Sequence, residues 1–219
     1  MYAQLKQAWN ALIGEDANFE VISIDVRGLP TRVFKNAPPS LREVWLACAQ
    51  FAEREYLVYE EERWTYAQAH AEVGAIGAWL AANGVQPGDR VGIAMRNYPE
   101  YMLLYWAIVS MGAVVVGLNA WWVGPELVFG IKDSRPKVIF ADRERLRTLA
   151  PHRGEVPEPL LVALRTQETI IEGTVSYESS VRTRAGTLPA VTIDSDADAC
   201  IFYTSGTTGH PKGAEQTHR

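Results

Sequence analysis

The chain has 219 residues, 47% of them apolar and 21% charged, with a net charge of −5. This composition is that of a globular protein and not of a fibrous or disordered one. The acidic balance argues against a primary nucleic-acid binder, and the length suits one large domain or one and a half small ones.

The N-terminus, MYAQLKQAWNALIGED, has no basic region ahead of an apolar stretch, so it does not read as a secretory signal. Leu5, Ala8, Trp9 and Leu12 recur at helical spacing, which predicts a surface helix docked on the body by that stripe. Its polar face is poor in Lys and Arg, which disfavours a helix lying in a membrane surface, although peripheral membrane association stays open. The rest of residues 1–39 reads as a lead-in segment. Ser40-Leu41-Arg42-Glu43 has the form of a capping box and opens a helix through Val44, Trp45, Ala47, Cys48 and Phe51. Tyr56–Tyr59 and Arg63–Thr65 read as a hairpin about Glu60-Glu61-Glu62. Thr65 caps an Ala-rich helix over Tyr66–Ala82, which Asn83-Gly84 stops. Pro87-Gly88-Asp89 is a turn, and Arg90–Met95 is a buried strand.

Tyr101–Pro125 carries no charge, and its length alone would allow a transmembrane helix. Ser110-Met111-Gly112 interrupts it, Ala113–Val116 is strand-like, and Asn119 and Gly124-Pro125 break it again. A buried helix over about Pro99–Ser110 followed by a buried strand over Ala113–Leu118 fits better than a membrane span. A helix over Pro125–Asp133, a strand over Lys137–Ala141, a charged helix over Asp142–Leu149 and a strand over Leu160–Leu164 follow. Thr166–Pro189 reads as loop and short helix. Strands alternating with helices predict an α/β fold of βαβ units around a mainly parallel sheet. Residues 40–219 contain no repeat, low-complexity tract or linker and read as one unit. Cys48 and Cys200 are not in CxxC or metal-ligand spacing, and apolar neighbours predict two buried thiols in a reducing cytoplasm. The four histidines are scattered, which gives no protein-held metal site.

Cys200-Ile201-Phe202 is an apolar strand that runs into Tyr203-Thr204-Ser205-Gly206-Thr207-Thr208-Gly209-His210-Pro211-Lys212-Gly213. Those eleven residues supply four hydroxyls from Thr and Ser, three glycines and a lysine. Glycines let backbone N–H groups approach an anion, hydroxyls donate to phosphate oxygens, and lysine supplies a compact positive charge. The combination suits a polyphosphate cradle; the competing reading is a flexible polar loop of chance composition. A Walker A loop would need Gly at Pro211 and Ser or Thr at Gly213, and a nucleophile elbow would need Gly at Tyr203 and Thr207. No strand is followed by GxGxxG.

YTSGTTGHPKG resembles the phosphate-loop motif of the adenylate-forming superfamily, [YF][ST]SG[TS][TS]GxPKG, at every specified position. Trp64-Thr65-Tyr66 resembles a helix start of that family. GVQPGDRVGIA (84–94) and GAVVVGLNAWWVGPEL (112–127) resemble two further segments, so the likeness runs from about Leu41 to the end, in the style of acyl-CoA synthetases for fatty or related acids. A departure falls at Ala120, where most members have proline after the asparagine matched by Asn119.

The resemblance implies that this is the partial N-terminal, AMP-binding domain of an adenylate-forming enzyme. Thr204, Ser205, Gly206, Thr207, Thr208 and Gly209 would wrap the β- and γ-phosphates of ATP, and Lys212 would pair with phosphate charge as the catalytic cation. His210 takes the variable slot, and His218 is expected to be structural. The implied reaction is attack of a carboxylic acid on Mg-ATP, then transfer of the acyl group to coenzyme A. The family's motifs for adenine, magnesium, ribose, the hinge and a C-terminal lysine lie beyond the phosphate loop. The chain is therefore expected to be a deliberately made piece, a partial gene product or a truncated form, inactive alone. The alternative is a non-catalytic remnant that folds or binds a partner.

Overall fold

The computed structural model describes residues 1–204 and 211–219. Helix α1 (Tyr2–Ile13) forms as the periodicity predicts, but it is not docked. None of its residues is buried, and Leu5, Trp9 and Leu12 are 64%, 57% and 49% exposed. The chain after it makes an unanticipated hairpin, β1 (Val21–Val26) and β2 (Leu29–Phe34), with Val21 opposite Phe34. Its turn places both Arg27 (φ 52°) and Gly28 (φ 83°) in the left-handed region, the geometry that matches the twist of two-residue hairpins. The hairpin, not the helix, reaches the body: the Arg27 guanidinium bonds Asp198 at 2.9 Å and the Asp196 carbonyl.

Helix α2 (Leu41–Ala47) begins at Ser40, whose hydroxyl accepts from the Glu43 N–H at 3.4 Å; a 3-10 turn over Cys48–Phe51 extends it. The hairpin of β3 (Glu55–Tyr59) and β4 (Glu62–Thr65) leads directly into α3 (Tyr66–Ala82). Thr65 and Gln68 close a full capping box there, at 3.2 and 2.8 Å. The helix stops at Asn83, and Gly84 takes the positive φ (76°) that a side chain would resist.

The remaining elements build the sheet: β5 (Arg90–Ala94), α4 (Pro99–Ser110), β6 (Val114–Gly117), α5 (Gly124–Ser134), β7 (Val138–Asp142), α6 (Arg143–Leu149), β8 (Leu160–Leu164), β9 (Val175–Ser176), α7 (Tyr177–Ser180), β10 (Asp198–Thr204) and β11 (Lys212–Thr217). Among the described residues the order is β11-β10-β6-β5-β7-β8-β9, parallel throughout except for the β10–β11 pair. The chain crosses from β6 over β5 to β7, so the carboxyl ends of β5 and β7 flank the point where the winding reverses, where open α/β sheets form a crevice.

Period-two alternation splits the strand side chains between two cores. Val91, Ile93, Val115, Phe140 and Val162 pack with α3 and α4, whereas Val116, Ile139, Ala141 and Leu161 pack with α5 and α6. Burial on both faces explains why these strands read as unbroken apolar runs. The uncharged 101–125 stretch is α4, β6 and the start of α5, with Leu103, Leu104, Ala107 and Ile108 fully enclosed. No helix among the described residues is long and apolar enough to cross a membrane. Cys200 is buried as expected, but Cys48 is only partly buried, because it sits at the start of the exposed 3-10 turn; both thiols are free.

Candidate functional site

The segment singled out in the sequence lies between β10 and β11. Strand β10 is held on one side by β6, with Cys200 opposite Val115 and Phe202 opposite Gly117, and on the other by β11. The antiparallel register sets Thr204 opposite Lys212. These two residues are the stem of the loop, and the Thr204 hydroxyl donates to the Lys212 carbonyl at 3.4 Å. Both are exposed, and the Lys212 ammonium has no carboxylate partner among the described residues. Ser205, Gly206, Thr207, Thr208, Gly209 and His210 lie outside the described residues.

The stem is braced from behind. Tyr203 donates its hydroxyl to Asp133 at 2.6 Å, and its ring meets Trp122 edge-on at 5.3 Å. Burial pushes the Tyr203 phenol above its ordinary range, and the adjacent Asp133 carboxylate pushes it further, so it serves as a neutral donor. Gly213 has a spatial reason: a Cβ there would stand 2.9 Å from Ile201 Cγ2. A side chain at this position of the motif would force Ile201 or the β11 backbone to shift.

Because β10, β6, β5 and β7 are parallel, their carboxyl ends open on the same edge of the sheet. Asp142, at the end of β7, is 3% exposed and joins three of these ends. Its carboxylate accepts from the Arg96 N–H at 3.0 Å, just past β5, and from the Arg145 N–H and Nε at 3.0 and 2.7 Å. Arg145 in turn donates to the Ala120 carbonyl at 2.9 Å, in the loop after β6. The sequence shows Asp142 as the start of a helix, but it does not show this bridging role. In the same loop Asn119 accepts from the Trp121 N–H at 2.9 Å, which turns the exposed Trp121 ring over the Arg96 guanidinium, 3.5 Å away. Tyr59, Arg96, Asn97, Tyr98, Ala120 and Trp121 line a crevice of about 480 Å³ there. The departure after Asn119 is visible in the sequence, but the crevice is not.

A second charged cluster, also unseen in the sequence, closes the neighbouring edge. Arg165 (φ 52°) binds Glu62 with two bonds at 2.9 and 3.0 Å and Glu100 at 3.0 Å. Arg182 reaches Glu72 at 2.9 Å and Glu100 at 3.3 Å. The Arg165 hydrogen bonds hold the Glu62 carboxyl below the usual carboxylate range. Each acid has a basic partner, so the cluster is a tie between hairpin, helices and loop. His218 is structural as expected: it is 5% exposed, and its Nδ1 accepts from the Leu41 N–H at 3.3 Å.

An unpaired lysine, an exposed hydroxyl and a braced stem suit the reception of an anion at the sheet edge. Among the described residues no group of three His, Cys, Asp or Glu side chains is placed to hold a metal ion.

A family model for AMP-binding enzymes matches residues 44–219. The long-chain-fatty-acid–CoA ligase FadD13 of Mycobacterium tuberculosis (strain ATCC 25618 / H37Rv) is 35% identical over 162 residues, covering 71% of this chain and 30% of that protein. A 3-hydroxybenzoate/4-hydroxybenzoate–CoA ligase of Thauera aromatica is 31% identical over 167 residues, covering 76% and 32%. Among solved structures, the anthranilate CoA ligase AuaEII bound to anthranoyl-AMP superposes with a TM-score of 0.78 at 26% identity, over 84% of this chain and 36% of that one. The inhibitor-bound N-terminal domain of FACL13 from Mycobacterium tuberculosis superposes at 0.68 with 29% identity, over 83% and 45%. The chain spans about a third of the length of the curated relatives it matches.

Proposed function

The chain belongs to the AMP-binding enzyme family, and on that premise we propose that it is the N-terminal part of an ATP-dependent acid–thiol ligase that activates a carboxylic acid and passes it to coenzyme A. The observation that carries this reading is the YTSGTTGHPKG segment, set on a hairpin whose stem pairs Thr204 with Lys212 at the carboxyl edge of a parallel sheet. The proposed acid is fatty, a choice supported by 35% identity to a long-chain ligase against 31% to a hydroxybenzoate ligase.

In this proposal ATP supplies the leaving group: the acid's carboxylate displaces pyrophosphate to give the acyl-adenylate, and the thiol then displaces AMP. The Lys212 ammonium stands beside the β- and γ-phosphates and offsets charge as pyrophosphate departs. The Thr204 hydroxyl, with Ser205, Gly206, Thr207, Thr208 and Gly209 as the proposed phosphate wrap, orients the triphosphate. Tyr203, through Asp133, fixes where that wrap begins. Magnesium would be held with ATP and by family residues that lie beyond the phosphate loop, and it would offset phosphate charge there. Two free thiols, Cys48 and Cys200, suit a reducing compartment, and we place the protein in the cytoplasm.

The test is ATP–pyrophosphate exchange with a panel of fatty and aromatic acids. A complete protein carrying residues 1–219 should exchange with fatty acids, and the 219-residue chain alone should not. Exchange by the chain alone would remove the claim of inactivity. Failure of the complete protein with every acid would remove the whole reading.

A further inference from the structure

The first 34 residues hold most of the large apolar side chains that the described structure leaves in water. Met1, Tyr2, Leu5, Trp9 and Leu12 in and before α1 are 94%, 81%, 64%, 57% and 49% exposed. Phe19, Leu29 and Phe34 add 57%, 69% and 51% from the hairpin region. These side chains are not scattered. Tyr2, Leu5, Trp9 and Leu12 fall on one face of α1 by their spacing. Phe19 and Phe34 pack edge to face at 6.4 Å, and the Phe19 N–H bonds the Leu12 carbonyl at 3.2 Å, so the two apolar groups meet. A contiguous apolar surface of this kind marks an interaction site, whereas isolated exposed leucines do not. The surface also lies outside the matched catalytic family, whose model begins at residue 44.

We propose that this surface is a self-association face, occupied by the same face of a second copy of the chain. Charge supports that occupant. Residues 1–39 contain four basic and four acidic side chains, so the whole net charge of −5 rests on residues 40–219. Two copies meeting through their N-terminal faces bring neutral surfaces together and keep their acidic bodies apart. The same count disfavours a lipid occupant. The polar face of α1 is Gln4, Gln7 and Asn10 with Lys6 as its one cation, which gives no attraction to anionic headgroups. Size also fits. Aromatic side chains bury ~150–250 Å² each, so Tyr2, Trp9 and Phe19 with two leucines offer several hundred Å², the scale of one side of a standard interface at ~800 Å².

Sedimentation velocity of the 219-residue chain from about 1 to about 100 µM tests the proposal, because self-association shifts with protomer concentration. The expected result is a concentration-dependent dimer. Leu5→Glu/Trp9→Glu should remain monomeric throughout, with unchanged circular dichroism and melting temperature, since neither side chain is buried. Val58→Glu, at an exposed apolar residue elsewhere, should leave the dimer intact. Three results would overturn the proposal: a wild-type monomer across the range, a dimer that survives the double substitution, or monomeric wild type that floats with neutral phosphatidylcholine vesicles.

Discussion

Tyr203 and Asp133 join two elements that are far apart in sequence: a 2.6 Å hydrogen bond ties the last turn of α5 to the strand that leads into the YTSGTTGHPKG segment. The bond lies on the face where Trp122, Ile201 and Tyr203 pack against the α5–α6 core.

Removing this hydroxyl tests its contribution. Tyr203→Phe keeps the ring contact with Trp122 and leaves Asp133 free to take up water, so the loss is the net value of one hydrogen bond to a charged group. The expected cost is about 1.5–3 kcal/mol, or a fall in melting temperature of about 3–12 °C, read by calorimetry. An unchanged melting temperature would mean that the bond does not hold the strand.

Lys212→Ala should separate the two half-reactions in a complete enzyme carrying this chain. In the proposed reaction the ammonium offsets charge while pyrophosphate leaves, and pyrophosphate is gone before the thiol attacks. Adenylation should slow by about one to two decades, which corresponds to about 1.5–3 kcal/mol, with thiolysis of supplied acyl-adenylate nearly intact. Single-turnover kinetics of each half gives the comparison. Equal slowing of both halves would remove Lys212 from the phosphate site.

Asp142→Ala should be among the most damaging single substitutions. It leaves the Arg145 guanidinium, 7% exposed, buried without its carboxylate, and it frees the Arg96 N–H. Breaking one side of such a pair costs about 3–5 kcal/mol. Replacing both partners, as Asp142→Ala/Arg145→Met, should recover much of that loss, because the lone buried charge goes with the second substitution. Urea denaturation of the wild type and the two variants measures the difference.

Acid should weaken the fold through His70 and His218 before the carboxylates titrate. Burial holds both imidazoles below the ordinary histidine range. His70 stacks on Trp45 at 4.1 Å, and the Nε2 atoms of both histidines are enclosed without a hydrogen-bond partner. The unfolded chain therefore takes up protons that the folded chain refuses. Stability is full above about pH 6.5 and falls as pH drops through the lower folded values, by up to ~1.4 kcal/mol per pH unit for each histidine. Urea midpoints between about pH 7.5 and about pH 5 should show this slope, and His218→Gln should flatten it. A flat wild-type profile would refute the assignment.

The sequence by itself determined the α/β class, nearly all the sheet and helix elements of residues 40–204, and the segment on which the functional reading rests. These features are written in local terms. Unbroken apolar runs mark strands buried on both faces, Thr65 and Gln68 mark a helix start, Gly84 marks its end, and the clustered Gly, Thr and Lys of 203–213 carry the proposed anion site. Tertiary structure alone decided the rest. The β1–β2 turn is Arg27-Gly28, without the Asn or Asp that would announce it, so the hairpin and its anchor to Asp198 were not legible. The spacing of Leu5, Trp9 and Leu12 gives a helix with an apolar face but not what that face touches, and docking was the wrong inference. Asp142 and Arg96 are 46 residues apart, Arg145 and Ala120 are 25 apart, and all four meet only because parallel strands deliver their carboxyl ends to one edge. Pairings of this kind depend on strand order, and strand order follows from how whole helices pack across the sheet, which no short run of residues encodes.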